Sequence, residues 1–281
     1  MKLSELTKDL GITAKNFSED CDIASVSSKI SDLTEQSLFV CLRGTKNDGH
    51  DYINEAYAKG AFAVVICDIS KAPENGRYIL VENTRYALSL LLSNFYENPE
   101  RSFRIIAITG TNGKTSVCRI LSEIIRANGY KVGTLSTTGN YVCGVPIENF
   151  GMTTPDPEDL FCAFKVFCEA KCDFVVMEAS SHALFLDKLS FLDIELAIFT
   201  NLSRDHLDFH KDFYDYAMAK AKLFSLAKAS LINIDSPYAD LMLHSANIKY
   251  TYSQSNPASD FYAGKIEKNG SDGIEYSFIK S

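Results

Sequence analysis

The sequence predicts an α/β protein in two consecutive units, the second of them built on a mostly parallel sheet. Three observations lead there. Apolar runs of strand length alternate with stretches of helical periodicity along most of the 281 residues, the pattern of a parallel sheet with helices on both faces. An Asn98-Pro99 break interrupts the alternation, because proline and the residue before it both resist helix. Beyond the break an apolar run passes through a glycine turn into an amphipathic stretch, R-I-I-A-I-T-G-T-N-G-K-T-S at 104–116. With 46% hydrophobic and 23% charged residues the composition is that of a globular chain.

The first unit, 1–98, contains strand-like runs at Ser37–Leu42, Ala61–Cys67 and Tyr78–Glu82. Helical patterns follow at Tyr52–Lys59 and Thr84–Glu97, where Ala87, Leu88, Leu91, Leu92 and Phe95 recur at helical spacing. The second unit, 99–281, opens with a continuous apolar strand at Arg104–Thr109. A helix over Thr115–Asn128 follows, with Val117, Ile120, Leu121, Ile124 and Ile125 expected inward and Gly129 closing it. Further strands are expected at Lys131–Leu135, Asp173–Glu178, Leu196–Thr200 and Ser230–Ile234, with helices near Glu158–Ala170 and Phe213–Ala227. After Tyr250 a polar loop leads to a hairpin at Phe261–Ile266 and Gly273–Ile279. The chain stops at Ser281 directly after that run and reads as cut off rather than finished.

Charge and cysteine usage narrow the classes of function. A net charge of -8 argues against a general nucleic-acid binder, whose footprint would be basic. Eight cysteines occur without a C-x-x-C pair; Cys168 and Cys172, four apart on an expected helix, could share a face. Several sit inside apolar runs, as small hydrophobes do. No export signal opens the chain and no apolar run approaches a membrane span, so a cytoplasmic protein is expected, with no membrane partner.

The glycine turn carries the first chemical signal. It is G-x-x-G-K-T, from Gly110 to Thr115, shorter than the G-x-x-x-x-G-K-[ST] spacing of the common phosphate-binding loop. The physics is nonetheless the same. Gly110 and Gly113 allow backbone N–H groups to face inward, and the first turn of the helix adds unpaired donors and the positive end of a dipole. Lys114 supplies a mobile cation, and Thr115 a hydroxyl where Mg²⁺ would bind.

Two further strand ends release polar groups where α/β sheets collect their ligands. M-E-A-S-S-H-A-L at 177–184 gives Glu178, Ser180, Ser181 and His182. T-N-L-S-R-D-H-L-D-F-H at 200–210 gives Asn201, Arg204, Asp205, His206, Asp208 and His210. Glu178 and His206 suit a divalent cation with oxygen and imidazole ligands. The helix Y-A-M-A-K-A-K-L-F at 216–224 puts Lys220 and Lys222 on different faces, and by itself reads as solvated helix charge.

Together, T-G-T-N-G-K-T-S, T-T-P-D, M-E-A-S-S-H-A-L, T-N-L-S-R-D-H-L-D-F-H and Y-x-x-A-K-x-x-L-F occur in an order that resembles the Mur ligases, and within them the MurE type. L-F-V-C-L-R-G-T-K-N-D-G-H-D-Y-I and N-T-R-Y-A-L resemble that family's UDP-binding domain. The resemblance implies an N-terminal UDP-substrate domain, a central ATPase domain and a C-terminal domain that this chain lacks. It implies a ligase that uses ATP and Mg²⁺ to join meso-diaminopimelate or L-lysine to UDP-MurNAc-L-Ala-D-Glu through an acyl phosphate. Carried over by motif, Gly110, Thr111, Asn112, Gly113, Lys114, Thr115 and Ser116 would hold the ATP phosphates, and Thr115 would face one Mg²⁺. Glu178 and His206 would ligate a second metal, and Lys220 aligns with the family's carbamylated lysine. Lys114, Lys220 and His206 are thus the catalytic candidates. Thr153, Thr154, Ser180 and Lys188 would contact the muramoyl peptide, and Ser28, Thr45, Lys46 and Asn47 the uridine nucleotide.

The chain departs from the family pattern at three places. V-S-S-K-I at 26–30 replaces the Asp-Ser-Arg signature, Met152 stands where relatives can carry a substrate-binding asparagine, and the C-terminal domain is missing after Ser281; Lys188 also falls where the family often has an arginine. Two other readings fit parts of the text: a sister ligase of the folylpolyglutamate or cyanophycin synthetase type, and a nucleotide- or UDP-substrate-binding fragment without turnover. Because the absent domain would recognise the incoming amino acid, the isolated chain is expected to ligate weakly or not at all unless a separate C-terminal fragment completes it.

Overall fold

The computed structural model describes residues 1–44, 47–205, 209–268 and 273–280. Thr45, Lys46 and His206, named above as candidates, lie outside the described residues. The chain divides into two compact units, Met1–Glu100 with Asp156–Lys165, and Arg101–Pro155 with Val166–Ser281.

The first unit runs α1 (Leu3–Leu6), β1 (Ile12–Lys15), β2 (Ser25–Ser27), β3 (Ser37–Val40), α2 (Ile53–Ala58), β4 (Ala61–Ile66), β5 (Tyr78–Val81) and α3 (Thr84–Phe95). Its sheet has the order β1-β5-β4-β3-β2, parallel except for β1. Phe39, Cys41, Val64 and Ile66 pack with Ile53 and Ala56 of α2 and with Leu33. α3 begins where the Asn83 side chain accepts the N–H groups of Arg85 and Tyr86 at 2.9 and 3.2 Å, the capping that asparagine does well. It buries Ala87, Leu88, Leu91 and Leu92, as their spacing predicts; Phe95 is half-buried. β1 and β2 are not legible in the sequence, being three or four residues long and without alternation.

The second unit runs β6 (Arg104–Thr109), α4 (Lys114–Ala127), β7 (Val132–Ser136), β8 (Gly139–Val142), β9 (Val145–Ile147), α5 (Pro157–Glu169), β10 (Phe174–Glu178), α6 (Ser181–Phe185), β11 (Ile194–Phe199), α7 (Phe213–Leu226), β12 (Ala227–Asn233), α8 (Ala239–Ser245), β13 (Ile248–Ser253), β14 (Phe261–Lys268) and β15 (Ile274–Lys280). α5 spans the division, its residues through Lys165 belonging with the first unit. The sheet order is β15-β14-β13-β12-β11-β6-β10-β7-β8-β9. From β14 to β7 every pairing is parallel, and β15, β8 and β9 add antiparallel edges. The apolar strand β6 lies in the middle, flanked by β10 and β11, so its carboxyl end and theirs fall side by side.

α4 corrects one expectation. Val117, Leu121 and Ile125 do pack on the core, and Cys118 and Ser122 are buried beside them, but Ile120 and Ile124 are 59% and 53% exposed. The inward face is centred nearer Cys118 and Ser122, which are buried, with Val117, Leu121 and Ile125 half-buried along one side of them. Ile120 and Ile124 lie beyond that half-buried line, farther round the helix. Ser122 can turn inward because its hydroxyl is satisfied, donating to Cys118 O at 2.8 Å and accepting from Thr134 Oγ1 at 2.9 Å. The helix closes with Gly129 in the left-handed region at φ +89° and the Tyr130 N–H reaching back to Ile125 O, the arrangement glycine favours past a helix end. Among the described residues no helix is long and apolar enough to cross a membrane.

Candidate functional site

The site is built at the carboxyl ends of β6, β10, β11 and β7. β6 delivers Gly110, whose backbone approaches β11 so closely that a Cβ there would lie 1.9 Å from Thr200 Oγ1. Gly113 has φ +86°, a conformation glycine adopts without strain, and it turns the chain into α4. The end of β11 clamps the turn. Thr111 N–H donates to Asn201 O at 2.9 Å, Asn112 N–H to Asn201 Oδ1 at 3.0 Å, and Thr200 Oγ1 to Asn112 O at 2.7 Å. The first helical bond is Val117 N–H to Gly113 O. The N–H groups of Lys114, Thr115 and Ser116 therefore stand at the helix start without acceptors in their own helix, an arrangement that favours an anion.

Two lysines distant in the sequence meet at this turn. Lys114 Nζ donates to Gly110 O at 3.0 Å and to Thr111 O at 2.9 Å. Lys220 Nζ, from α7, donates to the same Gly110 carbonyl at 2.8 Å. Lys220 is not a solvated charge: it is 1% exposed, with its amine over the Tyr216 ring at 4.7 Å. Burial, and then the neighbouring Lys114 charge, bring its pKa down to about 7. Burial also lowers Lys114, while the carboxylates of Glu178 and Asp205 oppose part of that shift. Tyr216 completes the group, its hydroxyl 3.1 Å from Thr111 Oγ1.

Glu178 ends β10, fully buried. Its Oε1 accepts the Thr137 N–H at 2.8 Å and its Oε2 the Thr137 hydroxyl at 3.2 Å. Thr137 Oγ1 also lies 3.0 Å from Thr153 Oγ1. Thr154 Oγ1 donates to Glu178 O and lies 3.1 Å from Ser180 Oγ, which in turn caps α6 by accepting Ala183 N–H. Lys188 is half-buried in the turn after α6, its N–H bonded to Ala183 O. Thr153, Thr154, Glu178 and Ser180 are thus joined in one network, and Gly110–Ser116 with Lys220 in another. The Lys114–Glu178 attraction links the two. Thr137 escaped the sequence reading, although L-S-T-T-G after β7 is the same signal, polar groups released by an apolar strand, that marked the other two strand ends.

In the first unit, Asn47 borders the undescribed pair Thr45 and Lys46. Ser28 is engaged: its N–H and hydroxyl both donate to Glu158 Oε1, at 2.9 and 2.6 Å.

Among the described residues no group of three or more His, Cys, Asp and Glu side chains is gathered. A buried carboxylate and the Thr115 hydroxyl are both oxygen donors. They suit a hard ion such as Mg²⁺, which takes its remaining ligands from water and phosphate rather than from an all-protein cage.

The model of the Mur ligase family catalytic domain matches residues 22–96, and that of the Mur ligase middle domain matches residues 108–281, more than half of the chain. The chain belongs to the Mur ligase family. Its similarity to curated proteins puts it with the MurE type. It is 39% identical over 286 residues to the UDP-N-acetylmuramoyl-L-alanyl-D-glutamate–2,6-diaminopimelate ligase of Clostridioides difficile, covering 99% of this chain and 58% of that protein. It is 38% identical to ligase 1 of the same description from Clostridium acetobutylicum, covering 90% of this chain and 52% of the relative. A solved structure of an enzyme of that description superposes with a TM-score of 0.81 at 26% identity, over the whole chain and 58% of the other. MurF from Acinetobacter baumannii shares the fold, with a TM-score of 0.61 at 15% identity. The chain thus spans a little over half the length of these Mur ligases, in their N-terminal and ATP-binding middle regions.

Proposed function

We propose that this Mur ligase serves cell wall synthesis by joining 2,6-diaminopimelate to UDP-MurNAc-L-Ala-D-Glu at the expense of ATP. The observation that carries the reading is the meeting of Lys114 and Lys220 on the Gly110 carbonyl, with Glu178 within electrostatic reach. An ordinary glycine turn needs no buried amine from a helix more than a hundred residues away.

Amide formation from a carboxylate requires a better leaving group than oxide, and both of its steps gather negative charge on oxygen. Transfer of the terminal phosphoryl group of ATP to the D-Glu carboxylate provides that leaving group, and an amine then displaces phosphate. The first-turn N–H groups and Lys114 are the fixed donors for such charge, positioned before the reaction so that little reorganisation is needed during it. The clamp from Thr200 and Asn201 keeps the turn open. Thr115 and Glu178 would hold Mg²⁺, which when bound supplies charge neutralisation at phosphate oxygens. Thr153, Thr154, Ser180 and Lys188 are proposed to hold the peptide carboxylate in line with the phosphates. Ser28, Thr45, Lys46 and Asn47 are proposed for the uridine nucleotide, with Glu158 yielding the Ser28 donors.

Carbamylation of Lys220 belongs to the same proposal. Only a neutral amine attacks CO₂, and a pKa near 7 leaves a substantial neutral fraction at neutral pH. The product is an anion beside the phosphate loop, a plausible partner for metal, with His206 in the same role.

The test is to incubate the chain with ATP, Mg²⁺, UDP-MurNAc-L-Ala-D-Glu and either 2,6-diaminopimelate or L-lysine, measuring ATP binding by calorimetry and tripeptide by mass spectrometry. Expected are ATP binding that Lys114→Ala weakens at least tenfold, and tripeptide, where it forms, with diaminopimelate in preference to lysine. ATP binding that Lys114→Ala leaves intact would overturn the assignment of the loop.

A further inference from the structure

Outside the phosphate site, the first unit holds a second constellation of titratable groups. Cys67 follows β4, His50 lies in the turn before α2, and Asp48 precedes it. His50 is buried, its ring fully shielded from solvent. Its Nδ1 lies 2.5 Å from Asp48 Oδ1, and its Nε2 accepts the Cys67 backbone N–H at 3.2 Å. The second contact settles the tautomer. Nε2 must carry a lone pair to accept that N–H, so Nδ1 carries the proton and donates it to Asp48. Cys67 Sγ lies 3.9 Å from the same Nε2, and the Thr84 hydroxyl donates to that sulfur at 3.9 Å. Carboxylate, imidazole and thiol are thus in the order in which a base is oriented by one group and activates another.

We propose that Cys67 is a nucleophilic thiol, activated by His50 and Asp48, that forms mixed disulfides with small disulfides. The thiol proton passes to His50 Nε2, and Asp48 stabilises the resulting imidazolium. Once protonated, Nε2 turns from acceptor to donor. The Cys67 N–H is no longer a partner for it, and the thiolate sulfur is the acceptor at hand. The thiolate attacks one sulfur of a disulfide RSSR. A Cys67–sulfur bond forms, the S–S bond of RSSR breaks, and the departing thiolate takes the proton from His50. The net reaction is Cys67–SH plus RSSR giving Cys67–S–SR plus RSH, in which Cys67 is oxidised and half of the small disulfide is reduced.

The other cysteines make the contrast. Burial pushes the thiols of Cys41 and Cys118 far up, and Cys172 up to about 12, so they are poor sources of thiolate. Cys67 is partly exposed. Cys168, also partly exposed, donates to Ser102 Oγ instead of facing an imidazole. An adduct on Cys67 would also disturb the contact that holds His50, and through it Asp48 next to Asn47. That places the thiol where modification can be felt by the segment proposed for uridine, but the reactivity itself does not depend on that proposal.

The experiment treats the full chain with oxidised glutathione and, separately, with 5,5′-dithiobis(2-nitrobenzoate), quenches at intervals in acid, and maps the labelled thiols by peptide mass. Cys67 is expected to be labelled first. His50→Gln is expected to slow its labelling at neutral pH by about tenfold or more, the low end of what a positioned base contributes. Because His50 is buried and its loss can unfold the unit, Asp48→Asn and Thr84→Val serve as milder variants, each checked for a native thermal transition. Asp48→Asn is expected to slow Cys67 and leave Cys168 unchanged. Labelling of Cys67 no faster than that of Cys143 or Cys168, or an unchanged Cys67 rate in a folded Asp48→Asn protein, would overturn the proposal.

Discussion

Gly110 and Lys220 carry the geometry of the proposed phosphate site at the scale of single residues. Gly110→Ala has no room: its Cβ would meet Thr200 Oγ1, and that hydroxyl cannot turn away without dropping Asn112 O. The substitution is expected to destabilise the protein by about 2 kcal/mol or more, as overpacking and strain do. Urea denaturation measures it, and Thr200→Ala in the same chain should restore part of the loss because the two sites are in contact. Lys220 gives a second residue-scale prediction. With ¹³C-bicarbonate at neutral pH, a new carbamate carbon resonance is expected in the wild-type chain and not in Lys220→Ala. A spectrum unchanged by the substitution would remove Lys220 from the proposed chemistry. The lysine also illustrates what sequence alone conceals. Its local helix text, with Lys222 two positions away bonded to exposed Asp187, gives no sign that one amine is buried and the other solvated. Only the fold brings Gly110 to it.

At the scale of elements, legibility followed length and burial. The inner strands β6, β10 and β11 are largely apolar runs and β7 and β12 carry shorter apolar stretches, so their existence is readable, and the hairpin of β14 and β15 is also visible. β8, β9, β13 and α8 are not: β8 is only four residues long and β9 three, while β13 is mostly solvent-exposed and α8 is a seven-residue helix. α4 is readable, but its inward face is not, because Cys118 and Ser122 turn inward through satisfied polar groups that a hydrophobic count passes over. A pair of substitutions checks the corrected face. Ile124→Lys should change stability by no more than about 0.5 kcal/mol, as exposed positions do, whereas Leu121→Ala, on the packed line, should cost about 2 kcal/mol. Equal losses would restore the sequence-based face. The junction of β13 and β14 yields a pH prediction. Asp260 accepts the Thr251 hydroxyl and N–H, both at 2.7 Å, which holds its carboxyl below the usual range. A carboxyl lowered in the folded state adds stability above its unfolded pKa and loses it as pH falls through the folded value. Asp260→Asn should therefore be less stable than wild type at pH 7, and the difference should close in acid, as denaturation at a series of pH values would record. A difference independent of pH would mean that shape rather than charge makes the contact.

The whole molecule consists of two units with separate sheets and separate cores, and the proposed ligands divide between them. Every described member of the proposed phosphate site, from Gly110 to Lys220, lies in the second unit, whereas Asp48, His50 and Cys67 lie in the first. Two cores of this kind need not unfold as one. A ligand that binds only the folded form raises its stability by about 2.7 kcal/mol at a concentration one hundred times its dissociation constant. Such a gain acts on the cooperative unit that contains the site. Calorimetric unfolding with Mg²⁺ and ATP at that concentration is therefore expected to move one transition upward and leave the other in place, and Lys114→Ala should abolish the movement. Modification of Cys67 should do the reverse, shifting the transition that ATP leaves alone. A single transition that responds as a whole to ATP and to Cys67 modification would mean that the two cores unfold as one cooperative block.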